Sequence, residues 1–292
     1  MSAQPTTDRR PPTADDQEHS PSLAARHSSL ATPTRLLALA ITGYIVVFAL
    51  AAWYKYSTYQ MGFDLGVHEQ VLWNTAHGRV AATSAFADTE SYLGIDIIPS
   101  ELLLAPLYAL APSAYTMLFL QTLVLALGAV PVFLIVRDRF RGMGSLGHPP
   151  APNPHPLTPE WAGLVFAAAY LLYLPVEYMN LYEFQIRAFA TTFLLLALRE
   201  LGRQRFWPFL LWTLLALGCR SDVGFVVAAM GFAQLRMKNG ELRKGRTRLD
   251  NSQFSTFNSQ FLKFTLLPIV LGLGWLALCV GVLIPLFRTS PF

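Results

Sequence analysis

LLALAITGYIVVFALAAWY, residues 36–54, decides the fold class: nineteen residues without one charged side chain. A bilayer's hydrocarbon core takes roughly 20 apolar residues in a helix, so this run is long enough to cross it. Residues 102–136 and 264–287 are likewise free of charge. The backbone of a span finds no water to bond, so such runs fold as helices. The sequence as a whole is 53% hydrophobic and 14% charged. Soluble domains carry about 25% charged residues, so a soluble fold is excluded. The expected class is an all-α, polytopic membrane protein in contact with membrane lipids. The formal net charge of +4 does not point to nucleic acid, because the basic residues sit at helix ends rather than in one patch. Cys219 and Cys279 lie in or beside apolar runs and read as buried small hydrophobes rather than a disulfide.

Working outward from the first span, residues 1–35 are rich in Ser, Thr, Pro and Ala and read as a disordered tail before a membrane domain over 36–292. A polar outer loop follows over 57–100. Leu102–Ala111 is too short to cross, contains Pro106 and reads as a re-entrant or interfacial segment. Ala114–Val136 spans next, followed by a loop holding the basic run Arg137-Asp138-Arg139-Phe140-Arg141 and the proline-rich HPPAPNPHPLTP at 148–159. Trp161–Val176 is the third expected span. The runs Ala188–Leu198, Phe206–Gly218 and Val223–Leu235 are short, and cross only if polar neighbours complete them. Residues 236–263 form a basic, low-complexity cytoplasmic loop in which NSQF occurs twice, and 264–287 closes the count at about seven spans.

Seven spans put the termini on opposite sides. With the N-terminus cytoplasmic, all but five of the 22 basic residues (Lys55, Arg79, Arg187, Arg220 and Arg288) fall on the inside. Positive residues favour the cytoplasmic side, so the expected topology is N-in and C-out in the plasma membrane.

The polar residues of interest then lie outside. In MGFDLGVHEQVLWNTAHGR, 61–79, a helix starting at Asp64 sets Asp64 and His68 on one face at i, i+4 spacing, with Leu65, Leu72 and Ala76 on a stripe suited to the membrane surface. Asp64 reads either as the helix N-cap or as a general base. Glu69, Asp88, Glu90 and Asp96 read as solvated loop carboxylates. Glu177, Glu183, Arg187, Arg220 and Asp222 fall at membrane depth, where charges are kept only if they face protein or a water-filled cavity. Arg187 and Arg220 are candidates for gripping a phosphate, or for reaching to the headgroups; Glu183 and Asp222 are their candidate partners. His148 and His155, among prolines on the inner side, suggest no metal site. No phosphate-cradling glycine loop or ATPase signature is present, and no cofactor is expected.

Four blocks carry a family resemblance: GFDLGVHEQVLWNTAHGR (62–79), YLGIDIIPSELLLAPLYALAPS (92–113), NLYEFQIRAFATTFLLLAL (180–198) and CRSDVGFVVAAMGF (219–232). In this order they resemble the domain-of-unknown-function 2079 family of bacterial predicted membrane proteins, from about residue 36 onward. That family is similar to the GT-C membrane glycosyltransferases. The resemblance implies sugar transfer from a polyprenyl-phosphate donor on the outer side of the membrane. It also implies a catalytic carboxylate in the first outer loop, where Asp64 stands. Three polar positions depart from the family pattern. Ile95-Asp96-Ile97 stands where a His-containing motif follows YLG, Gln185-Ile186 where a His-Pro pair follows Glu-Phe, and Arg220-Ser221-Asp222 where a basic-Glu-Asp triplet is expected. The departures, and an end where relatives continue, leave two alternatives open: a transporter or lipid-handling protein without catalysis, or an inactive, shortened member.

Overall fold

The computed structural model describes residues 23–144, 158–244 and 260–288, and the ordered elements are helices. The first, α1 (Leu23–Ser57), contains the opening apolar run, and its segment Thr32–Ser57 is long and apolar enough to cross a membrane. It begins twelve residues before the expected end of the tail; residues 1–22 lie outside the described residues. In the segment 57–100, α2 (Phe63–Ala76) forms one residue ahead of its expected start. The segment expected to be re-entrant or interfacial holds two short helices, α3 (Pro99–Leu102) and α4 (Ala105–Leu110), each opened by a proline in its first turn. Proline has no N–H to lose there, so it starts a helix where it would break one further along. The α2 helix does not lie as a free surface helix: Leu65 and Leu72 are buried in the core, against which α4 also packs.

Helices α5 (Ala114–Leu127) and α6 (Ala129–Gly144) form one apolar span over Ala114–Gly142. The basic run 137–141, read above as loop, is therefore the last turns of a helix. Arginines at a span's end keep their stems in the apolar layer and their heads in water, so charge alone does not end the helix. Helices α7 (Pro159–Leu171) and α8 (Leu174–Tyr182) make a pair bent by 43°. The remainder is α9 (Arg187–Gly202), α10 (Phe206–Leu217), α11 (Val223–Lys244) and a last span, Leu262–Phe287, with two π-turns. Helix α11 and the last span both enter the expected 236–263 loop; its first NSQF repeat, the start of the second, and His148 and His155 lie outside the described residues.

Among the described residues three helices are long and apolar enough to cross a membrane, or four if the bent pair is one span; the other expected spans do not reach that measure. Helices α10 and the apolar part of α11 are too short, and α9 carries charge at both ends. Small residues bring these elements close. A Cβ on Gly224 of α11 or Gly272 of the last span would strike the other's backbone. Lipid gives helices no hydrophobic reason to associate, so such close contact between small residues holds them together.

Polar contacts fix the ends of the helices. Lys55 Nζ donates to the carbonyls of Leu181 and Tyr182 at 2.5 and 3.1 Å, closing the end of α8 with a cation. Ser100 donates from its N–H to Gly218 O at 2.9 Å and from Oγ to Leu215 O at 2.7 Å, satisfying carbonyls at the end of α10. Arg288 pairs with Asp88 at 2.9 Å and Thr89 Oγ1 donates to Phe287 O at 3.0 Å, so the last span ends against the loop between α2 and α3.

Candidate functional site

The region around Asp64 is built from three segments: the start of α2, the α3 turn, and the link between α8 and α9. The link is held by Gln121, a fully buried residue of α5. Its amide donates to Glu183 O at 2.9 Å and Met179 O at 3.1 Å, and its Oε1 accepts from Gln185 N at 2.6 Å. One side chain therefore occupies backbone groups that a buried chain leaving a helix would otherwise leave unpaired.

So held, Glu183 is aimed at the start of α2. Its carboxylate accepts from Gly62 N and Leu65 N, both at 2.9 Å. These are N–H groups that a helix start cannot satisfy itself, and negative charge is favoured there. The N-cap position is Gly62, whose own side chain is absent, so the cap comes from 121 residues away. A Cβ on Gly62 would collide with Glu183 Oε1. Two sequence expectations are corrected: Asp64 is not the cap, and Glu183 does not pair with Arg187. Replacing Glu183 with Ala is expected to lower stability by about 1–2 kcal/mol, the upper range for a lost cap, read as a lower unfolding midpoint in detergent.

Relieved of capping, Asp64 occupies the first turn of α2, half-buried. Its Oδ2 accepts from Gln185 Nε2 at 3.1 Å, and Gln185 Oε1 accepts from Arg187 Nη2 at 3.4 Å. Arg187 is exposed, and no described carboxylate lies within ion-pair distance of it. It stands at the first residue of α9, where the helix dipole disfavours a cation and draws an anion.

Behind Asp64, His68 Nδ1 lies 2.8 Å from Glu101 Oε1; His68 is 5% exposed and Glu101 not at all. Glu101 Oε2 has no hydrogen-bond partner. Burial pulls the His68 pKa down, but the charge and hydrogen bond of Glu101, with Asp64 and Glu183 nearby, more than offset it and leave the pKa raised. The imidazole also packs on Tyr92 and Phe184, at ring separations of 5.1 and 5.5 Å. Glu101 carried no sequence signal: a carboxylate ahead of an apolar run reads as an ordinary helix start.

The remaining candidates form a second cluster. Arg220 Nε lies 3.3 Å from Asp96 Oδ2 and 3.2 Å from Asp222 Oδ2, aligned well with neither. Asp96 Oδ1 also accepts from Ser221 N at 3.1 Å and Ile97 N at 2.8 Å. Asp96 and Asp88 are thus paired rather than solvated, and Arg220 is already neutralised. Tyr92 stands between the clusters: burial first, then Glu101 and Asp96, raise its phenol above the usual tyrosine range, with Arg220 opposing. Among the described residues no group of three His, Cys, Asp or Glu side chains is placed to hold a metal ion.

The family model described as "Predicted membrane protein (DUF2079)" matches residues 29–292, and the chain belongs to that family. No curated protein and no solved structure matches it.

Proposed function

We propose that this member of the family is a membrane glycosyltransferase that uses a polyprenyl-phosphate-linked sugar, with Asp64 as general base. The observation that carries the reading is the division of labour at the start of α2. Glu183 does the capping, which leaves the Asp64 carboxylate free apart from one amide hydrogen bond. An acceptor hydroxyl gives its proton to Asp64 as its oxygen bonds to the sugar C1. The bond from C1 to the phosphate oxygen breaks, and the lipid phosphate leaves with the electron pair. Arg187, uncompensated and at a helix N-terminus, suits that developing charge. Arg220, held between Asp96 and Asp222, suits a clamp between the outer loop and the α10–α11 turn.

The same reading puts Asp64 on the outer side of the plasma membrane, with seven crossings, a cytoplasmic N-terminus and an extracytoplasmic C-terminus. Two things support it: the basic residues crowd the opposite helix ends, and the end of the last span meets the loop that follows the first. Cysteines introduced at exposed sites in 57–100 are expected to react with an impermeant thiol reagent from outside, and those in 142–160 only after lysis. The reverse pattern would remove the orientation.

The activity is tested with membranes containing the overproduced chain, incubated with a panel of labelled polyprenyl-phosphate sugars. Protein-dependent release of polyprenyl phosphate, lowered in Arg187→Gln, is the expected result. Binding or translocation of the donors without release would make the chain a carrier instead.

A further inference from the structure

A cleft of about 620 Å³ lies between α6, α9 and α11, away from Asp64. Along α9, Arg199 is twelve residues from Arg187, about 18 Å at 1.5 Å per residue. The cleft has two unlike parts. Ile135, Leu198 and Met230 make an apolar wall, while Arg139, Arg199 and Arg203 stand against one carboxylate, Asp138. Its volume is in the range of small-ligand sites, enough for a headgroup and the first part of an acyl chain.

The charges are unequally engaged. Arg203 Nε is 3.8 Å from Asp138 Oδ2, and Asp138 is also paired with Arg137 at 3.1 Å. Arg199 pairs with Glu200 at 2.6 Å, yet its buried Nε has no partner. No described carboxylate pairs with the exposed Arg139. Cations are favoured at helix C-termini, which explains arginines at the ends of α6 and α9. It does not explain an excess of two positive charges over an apolar wall.

Depth identifies the occupant. The apolar span Ala114–Gly142 ends three residues after Arg139, which places that guanidinium at headgroup level. Ile135 lies one turn deeper, about 6 Å along the helix. An amphiphile with its anion at the arginines and its chain along Ile135, Leu198 and Met230 meets both parts of the cleft. We infer that this cleft is a binding site for an acidic phospholipid of the surrounding membrane.

The test uses the purified full chain, delipidated in neutral detergent and titrated with dioleoylphosphatidylglycerol or dioleoylphosphatidylcholine. Bound lipid is counted by native mass spectrometry. The acidic lipid is expected to be retained preferentially. Arg139→Gln and Arg203→Gln are each expected to weaken it about fivefold, since a cation facing an acidic lipid surface is worth about that factor. Met230→Trp, which narrows the apolar wall without changing charge, is expected to weaken both lipids. Arg79→Gln, in the outer loop, should change nothing. Equal retention of the two lipids would overturn the inference, as would unchanged binding in Arg139→Gln. So would full displacement by inorganic phosphate, which would mark an anion site with no use for the acyl chain.

Discussion

Asp64→Asn is expected to lower sugar transfer by about 10²–10⁴-fold with little loss of stability, because positioned proton transfer is typically worth that much in rate. The structure makes the substitution clean. Asparagine still offers an oxygen to Gln185 Nε2, and the cap belongs to Glu183, so neither contact is lost. What goes is the charge and the basicity. Loss of a first-turn carboxylate costs about 0.3–1 kcal/mol in helix-dipole interaction, too little to unfold the chain or imitate a hundredfold fall in rate. Turnover should be measured in membranes at matched protein levels, with the unfolding midpoint recorded beside it. Full activity in the Asn variant would leave Asp64 with only its hydrogen bond to Gln185, and the base would have to be sought elsewhere.

The second large effect is on stability. His68→Ala is expected to destabilise the chain by about 3–5 kcal/mol, the typical cost of leaving one member of a buried pair alone. Glu101 is fully buried and its second oxygen is already unpartnered, so nothing nearby replaces the imidazole. Removing both charges at once, as in His68→Leu with Glu101→Met, is expected to recover most of the loss. The double variant would thus separate the unpaired charge from lost packing. The pH dependence has a definite sign. The folded pKa of His68 lies above its unfolded value, so the pair's contribution is complete below about 6.5 and is lost as pH rises through the folded pKa. Unfolding midpoints in detergent should fall over that alkaline window in the parent and stay flatter in the double variant. A parent midpoint that instead fell on acidification below about 6.5, while the double variant stayed flat there, would mean that His68 is neutral in the folded state.

Legibility in the sequence followed the range of the interaction. The first and last spans, the broken segment after Pro99 and a helix opening within a residue of Asp64 are local matters of apolar length, residue spacing and proline placement, and all were readable. The end of α6 was misread because arginines at a span's edge look the same whether they close a helix or begin a loop. The expected spans at α9, α10 and α11 do not stand out by length and apolarity, because charged residues bound their apolar runs. In the site, Asp64 and His68 stood out by spacing, but their partners did not. Glu183 reaches the start of α2 from 118 residues away and Glu101 reaches His68 from 33, and Gln121 and Gln185 are amides with no charge to draw notice. Two departures from the family pattern, Asp96 and the Arg220-Ser221-Asp222 triplet, turn out to touch each other. A substitution read alone as damage can be half of a matched pair.

The latch between Arg288 and Asp88, with Phe287 O held by Thr89, joins residues about 200 positions apart and so orders events in time. During synthesis the first span is in the membrane long before the last one exists. In that interval the segment between α1 and α4 has neither this latch, nor the Glu183 cap, nor the Gly218 carbonyl that receives Ser100. Helices that are stable singly can insert one by one, whereas contacts of this separation wait for the chain between them. The Asp64 region should therefore be among the last parts of the molecule to mature, and sensitive to added protease until it does.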